Sequence, residues 1–191
     1  MGRPGLGRSI MCVVSLVVLG AMILPSASHA ATAQAIDASV DTILQKFKET
    51  HQGADAALKQ AKGVLVFPEI VKGGIVVGGS YGEGALRIND QSVAYYSIGA
   101  GSVGFTFGAQ KQGVIILFMK QAALDTFRKD ATTDKAYQVG VSGDITAVNL
   151  GAGGALASSA LNHDVVSFVM DQKGLMVNLS LQGSKITKLQ R

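Results

Sequence analysis

Two glycine-rich stretches and a handful of lysines carry the residue types that chemistry would use. Gly78-Gly79-Ser80-Tyr81-Gly82 matches the G-x-S-x-G pattern of a nucleophile elbow, and His163 follows it with Asp125, Asp134 and Asp144 in between. The order serine, acid, histidine is that of an α/β-hydrolase, whose elbow is a strand-to-helix turn that exposes the serine oxygen. Here Gly82, Gly84 and Arg87-Ile88-Asn89-Asp90 come after Ser80 and read as strand and turn. Hydrolysis through Ser80 therefore stands only as a remote alternative, and no catalytic residue is assigned. Gly99-Ala100-Gly101-Ser102-Val103-Gly104 matches G-x-G-x-x-G. A dinucleotide loop of that pattern opens a helix whose N-terminus receives the pyrophosphate. Val103 to Phe107 alternates like a strand instead.

His51 and His163 lie far apart, and no thiol or H-E-x-x-H cluster joins them, so the spacing provides no zinc site. No metal and no cofactor are expected. Glu69 and Glu83 both sit among glycines, but their spacing does not make them an acid/base pair. Asn178-Leu179-Ser180 fits a glycosylation acceptor inside an expected strand. From Ala61 to Gly74, Lys62 and Lys72 flank a short apolar run that Pro68 ends. The plain account is a strand and a turn with a solvated lysine on each side.

The elements that must position these residues follow from periodicity. Ile36, Val40, Ile43, Phe47, Ala54, Ala57, Leu58 and Ala61 recur at spacings of three and four, which predicts a helix over Ile36 to Lys62. Gly53 is a candidate break and Gly63 the stop. Six short runs then read as strands between glycines: Val64–Phe67, Gly74–Gly79, Ala85–Ile88, Val93–Ile98, Val103–Phe107 and Val114–Met119. Asn89-Asp90 reads as a hairpin turn. A short helix is expected at Gln121–Lys129, then strands at Ala136–Val141, Ile145–Leu150, Val165–Asp171 and Leu175–Leu181. The class is α+β: a strongly curved, mostly antiparallel, Gly-rich and barrel-like sheet with an N-terminal amphipathic helix and a short mid-chain helix. Its 24 glycines fit close backbone approach and curvature.

The first thirty residues read as a cleavable signal peptide. Arg3 and Arg8 precede an apolar run from Ile10 to Leu24, and Ser28-His29-Ala30 supplies a small-residue exit. Cleavage is expected after Ala30, leaving 31–191 as one domain. The lone Cys12 falls inside the apolar run, too early to be a lipoprotein cysteine. The expected location is thus periplasmic or secreted, without lipidation. Without Arg3 and Arg8 the basic residues fall from 17 to 15 against 13 acids, too even a balance for a nucleic-acid partner.

Three stretches resemble the SYLF domain, also called the YSC84-like domain. AKGVLVFPEIVKGGIVVGGSYGEGALR, from Ala61 to Arg87, resembles its opening signature. GAQKQGVIILFMKQAALDTF, from Gly108 to Phe127, is similar to its middle, and HDVVSFVMDQKGLMVNLSLQGSKI, from His163 to Ile186, to its closing hairpin. The resemblance implies binding without catalysis. Eukaryotic members bind phosphoinositides and membranes, and some bind actin, through a basic amphipathic N-terminal helix. Bacterial members are exported proteins or lipoproteins often described as lipid-binding. Leu161-Asn162-His163 stands where many members carry a Gly-Pro pair.

Two readings follow. In the first the domain binds anionic phospholipid or a membrane surface. The helix would turn Val40, Ile43 and Phe47 toward lipid, with Lys46, Lys48, Lys59, Lys62 and Lys72 reaching phosphates. The opposing account packs that same apolar stripe on the sheet. In the second, the domain is an envelope structural or protein-interaction protein with lipid incidental.

Overall fold

Apolar runs that are continuous, not alternating, mark strands covered on both faces. Val64-Leu65-Val66-Phe67 and Val114-Ile115-Ile116-Leu117-Phe118 are such runs, and every one of their side chains is buried. They lie in β1 (Gly63–Gly74) and β4 (Thr106–Phe118), adjacent strands at the centre of an eight-stranded sheet. The other strands are β2 (Val77–Ile88), β3 (Gln91–Val103), β5 (Tyr137–Gln138), β6 (Thr146–Ala147), β7 (Val165–Asp171) and β8 (Lys185–Leu189). The spatial order is β5-β8-β3-β2-β1-β4-β7-β6, antiparallel throughout except for the β6–β7 pair. This computed structural model describes residues 31–74, 77–103, 106–148, 156, 161–171 and 181–191. The expected signal peptide, the glycosylation pattern and the strand expected at Leu175–Leu181 lie outside them.

The α+β class and the curved sheet are as the sequence predicts. The six short runs, however, are four long strands. Gly82 and Gly84 are interior strand positions where the backbone comes close to a neighbour. A Cβ at Gly82 would press on the Glu69 carbonyl, and one at Gly84 would overlap the carbonyl oxygen of Val66. The β1–β2 register slips between Val66 and Glu69, beside that close approach. Asn89 and Asp90 take φ of 49° and 61°, the left-handed pair that a two-residue type I′ hairpin needs.

The expected single helix is two, α1 (Ala33–Thr50) and α2 (Ala54–Gln60), because Gly53 adopts φ 88° between them. Thr32 caps α1, its hydroxyl accepting from the Ala35 amide at 3.2 Å. Ile36, Val40, Leu44 and Phe47 are the buried residues of α1. They pack on the outer face of the sheet with Val64, Val66, Ala85, Ile115, Leu117, Val166, Phe168 and Met170. The other face closes over a second core with α3 (Gln121–Asp130), where Phe127 stacks among Phe118, Tyr96 and Tyr137 at centroid distances of 4.9–5.2 Å.

Polar contacts fix α1 as well. The Asp37 carboxylate accepts from Ser92 Oγ at 2.6 Å and from the Tyr95 hydroxyl at 2.9 Å. Arg87 pairs with Asp41 and donates to the Asp37 carbonyl at 3.5 Å.

Candidate functional site

Lysines gather into a site when turns bring separate elements to one edge. The last turn of α1 carries Lys48, the last turn of α2 carries Lys59, and Lys62 follows at the entry to β1. Basic residues at helix C-termini offset the macrodipole, the structural account of Lys48 and Lys59. The β2–β3 turn folds back beside them and adds Arg87, Asn89 and Asp90. Together they line a cleft of about 240 Å³ whose floor includes Leu44, Leu58 and Val64.

Four cations face two carboxylates, Asp55 and Asp90, in this cleft. Lys59 donates to Asp55 at 2.6 Å, a hydrogen bond that holds the carboxyl below and the ammonium above their ordinary values. Arg87 is turned toward Asp41 and α1. Among the described residues neither Lys48 nor Lys62 has a carboxylate within salt-bridge distance, although the Lys48 charge helps to hold the Asp55 carboxyl down. Both side chains are exposed, so they keep full hydration until an anion replaces it.

The other residues expected to meet lipid lie elsewhere. Val40 and Phe47 are fully buried, Phe47 against Phe168 at a centroid distance of 5.1 Å. Lipid contact through them would require α1 to leave the sheet and expose its core. The physical reason is complementarity: the apolar stripe of α1 meets an apolar outer face on β1, β4 and β7. Ile43 is half-buried and, with Lys46, lines a different cleft of about 270 Å³ beside Pro68, where Lys46 and Lys111 face Glu69 and Asp171. Two cations against two carboxylates leave that cleft balanced. Lys72 stands apart from both, in a cleft of about 160 Å³ with Ile70, Ile98 and Leu181.

Ser80 lies inside β2, paired with Lys72 of β1 and Ala100 of β3, not at a strand-to-helix corner. Gly99 to Val103 belongs to β3 and opens no helix. Glu69 and Glu83 face each other across β1 and β2. Each has its own cation: Lys111 Nζ lies 2.9 Å from Glu69, and Arg191 Nη2 2.8 Å from Glu83. Like charges placed directly opposite destabilise a sheet unless answered in this way. Among the described residues no three His, Cys, Asp or Glu side chains cluster to hold a metal.

The sequence reading missed Arg87. Its signal is a single charge inside the apolar run Ala85-Leu86-Arg87-Ile88, at a position that faces α1. Residues 99–191, from the end of β3 through β8, match the family model Ysc84, described as a Las17-binding protein actin regulator. No curated protein matches the chain. The cleft is built by residues 44–90, ahead of the matched span. Over residues 99–191 the chain thus matches the Ysc84 family model, in keeping with the SYLF domain that its sequence resembles.

Proposed function

We propose that the domain is a non-catalytic module that works outside the cytoplasm and docks on anionic phospholipid headgroups through the cleft of Lys48, Lys59, Lys62 and Arg87. The observation that carries this reading is the convergence of four cations against two carboxylates on one cleft, with Lys48 and Lys62 beyond salt-bridge distance of either. Because the apolar stripe of α1 is committed to the core, the contact is electrostatic docking by a folded domain, not insertion of a helix. The family match supports a binding role, since the description of the family is that of a partner-binding protein. The export signal read from residues 1–30 supports a role in the periplasm or beyond the cell, and the reading therefore takes lipid and not actin as the partner.

The protein beginning at Ala31 is expected to co-sediment with phosphatidylcholine vesicles that contain phosphatidylglycerol and to stay in solution with phosphatidylcholine alone. A lysine at an anionic surface is worth about 1 kcal/mol. Replacing Lys48 and Lys62 together by glutamine should therefore weaken partition about thirty-fold. Raising the salt should weaken it for the parent too. Equal sedimentation with both vesicles, or an unchanged double variant, overturns the reading. Failure on both vesicles, with one envelope protein retained stoichiometrically under delipidated conditions, would establish the protein-interaction alternative instead.

A further inference from the structure

Glu83 has 12% of its side chain open to solvent, and its surroundings are specific. Oε1 accepts from the Tyr81 hydroxyl at 2.8 Å. Oε2 accepts from Arg191 Nη2 at 2.8 Å and from the backbone nitrogen of Ala31 at 3.2 Å. The Arg191 guanidinium, itself only 14% exposed, also donates through Nη1 to the Ala31 carbonyl. Ala31 is thus held at both of its backbone polar groups, one residue ahead of the Thr32 cap of α1. Nothing in the lipid-docking cleft requires this arrangement, which involves none of the cleft's residues.

Ala31 is also the residue that signal cleavage after Ala30 would make the first of the chain. Hydrolysis of the Ala30–Ala31 peptide bond consumes one water, leaves a carboxylate on Ala30 and turns the Ala31 amide nitrogen into an α-ammonium. We propose that Glu83, Arg191 and Tyr81 form a receptor for this newly made N-terminus, so that removal of the signal replaces the neutral amide donor to the Glu83 carboxylate by an ammonium and strengthens the hold on the start of α1. The inference rests on the export reading for the cleavage itself. A positive charge beside a helix N-terminus is opposed by the macrodipole. Glu83 answers both that charge and the Arg191 guanidinium from a single carboxylate. The uncut chain has the geometry but not the charge, which leaves the precursor less stable than the product.

Two measurements test this. Intact mass of the exported protein reads its first residue; Ala31 is expected, and any other start overturns the processing step. Separately, thermal midpoints are compared for the protein beginning at Ala31 and for the same protein with Gly-Ser-Gly-Ser ahead of Ala31. The free terminus should melt higher by about 2–4 °C near neutral pH, and Glu83→Gln should erase the difference. The α-amino group ordinarily titrates near pH 7.7–8.0. Within the proposal, the ion pair with Glu83 raises that value in the folded state, against the Arg191 charge and the helix dipole. The advantage is therefore present at lower pH and lost as pH rises through the folded value. Equal midpoints in the parent, or a difference that survives Glu83→Gln, overturn the receptor even when the start at Ala31 is correct. If Glu83→Gln does not fold, loss of the difference at high pH in the parent serves in its place, and a difference that persists there overturns the receptor.

Discussion

A methyl group at Gly84 would overlap the carbonyl oxygen of Val66 and crowd the ring of Phe67, both across the β1–β2 ladder. Backbone cannot yield there without breaking the register that seats Phe67 in the core. Gly84→Ala should cost about 1–3 kcal/mol, the usual cost of overpacking, read as a lower urea midpoint. Gly101, where a Cβ would meet nothing within 4 Å, is the control, and Gly101→Ala should leave the midpoint in place. An unaffected Gly84→Ala would show that the close approach is not required. His51 makes a second prediction at this scale. It is buried beside Phe47, with Thr50 Oγ1 2.7 Å from its Nδ1. Burial, partly offset by a backbone hydrogen bond at Phe47, lowers the imidazole below its ordinary 6.5. The unfolded chain then binds the proton more readily, so the stability His51 provides is present above pH 6.5 and lost as pH falls through the folded value. The midpoint should drop on acidification, and His51→Phe should flatten that slope; an identical slope in the variant would exclude His51 as its source.

At the scale of elements, α1 is fixed to the sheet twice, by an apolar stripe and by a polar latch. Asp37 receives two hydroxyls at 2.6 and 2.9 Å, and burial together with that carboxylate raises the Tyr95 phenol above its ordinary value. Asp37→Ala leaves Ser92 and Tyr95 without their acceptor. It should destabilise by about 1–3 kcal/mol and speed amide exchange in α1 more than in β4. Exchange that rises equally in both would mean the latch is no local device. The elements themselves were unevenly legible. Val165–Asp171 has the predicted bounds, and α3 runs one residue past its prediction, because their patterns are unbroken. The long strands β1–β4 read as six pieces because glycine resembles a turn in sequence, whereas Gly82, Gly84, Gly99 and Gly101 lie inside strands. Strand β8, Lys185–Leu189, was not foreseen at all. Only Ile186 is buried there, and its pairing with β3 and β5 is entirely non-local. The strands expected at Ala136–Val141 and Ile145–Leu150 shrink to two residues each among the described positions.

For the whole molecule, a sheet with an apolar layer on each face needs cover on both, and the chain supplies α1 with α2 for one and α3 for the other. That demand commits Val40 and Phe47 to the core of the folded domain, which is why the proposed docking is argued from charge. The family resemblance and the α+β class were legible because they live in local patterns: apolar runs, glycine spacing and turn residues. The lysines of the site were legible as residue types, but their grouping was not. Lys48, Lys59 and Lys62 meet Arg87 only because α1 and α2 end where the β2–β3 hairpin turns. Lys46 and Lys72, equally basic in sequence, are carried to other clefts. Composition and periodicity alone determined that this chain folds as a glycine-rich β domain with an amphipathic helix before it. Which face that helix shows, which lysines share a cleft and which cation answers Glu83 were decided only by tertiary structure, because burial and Coulomb interaction depend on distances in space that sequence separation does not encode.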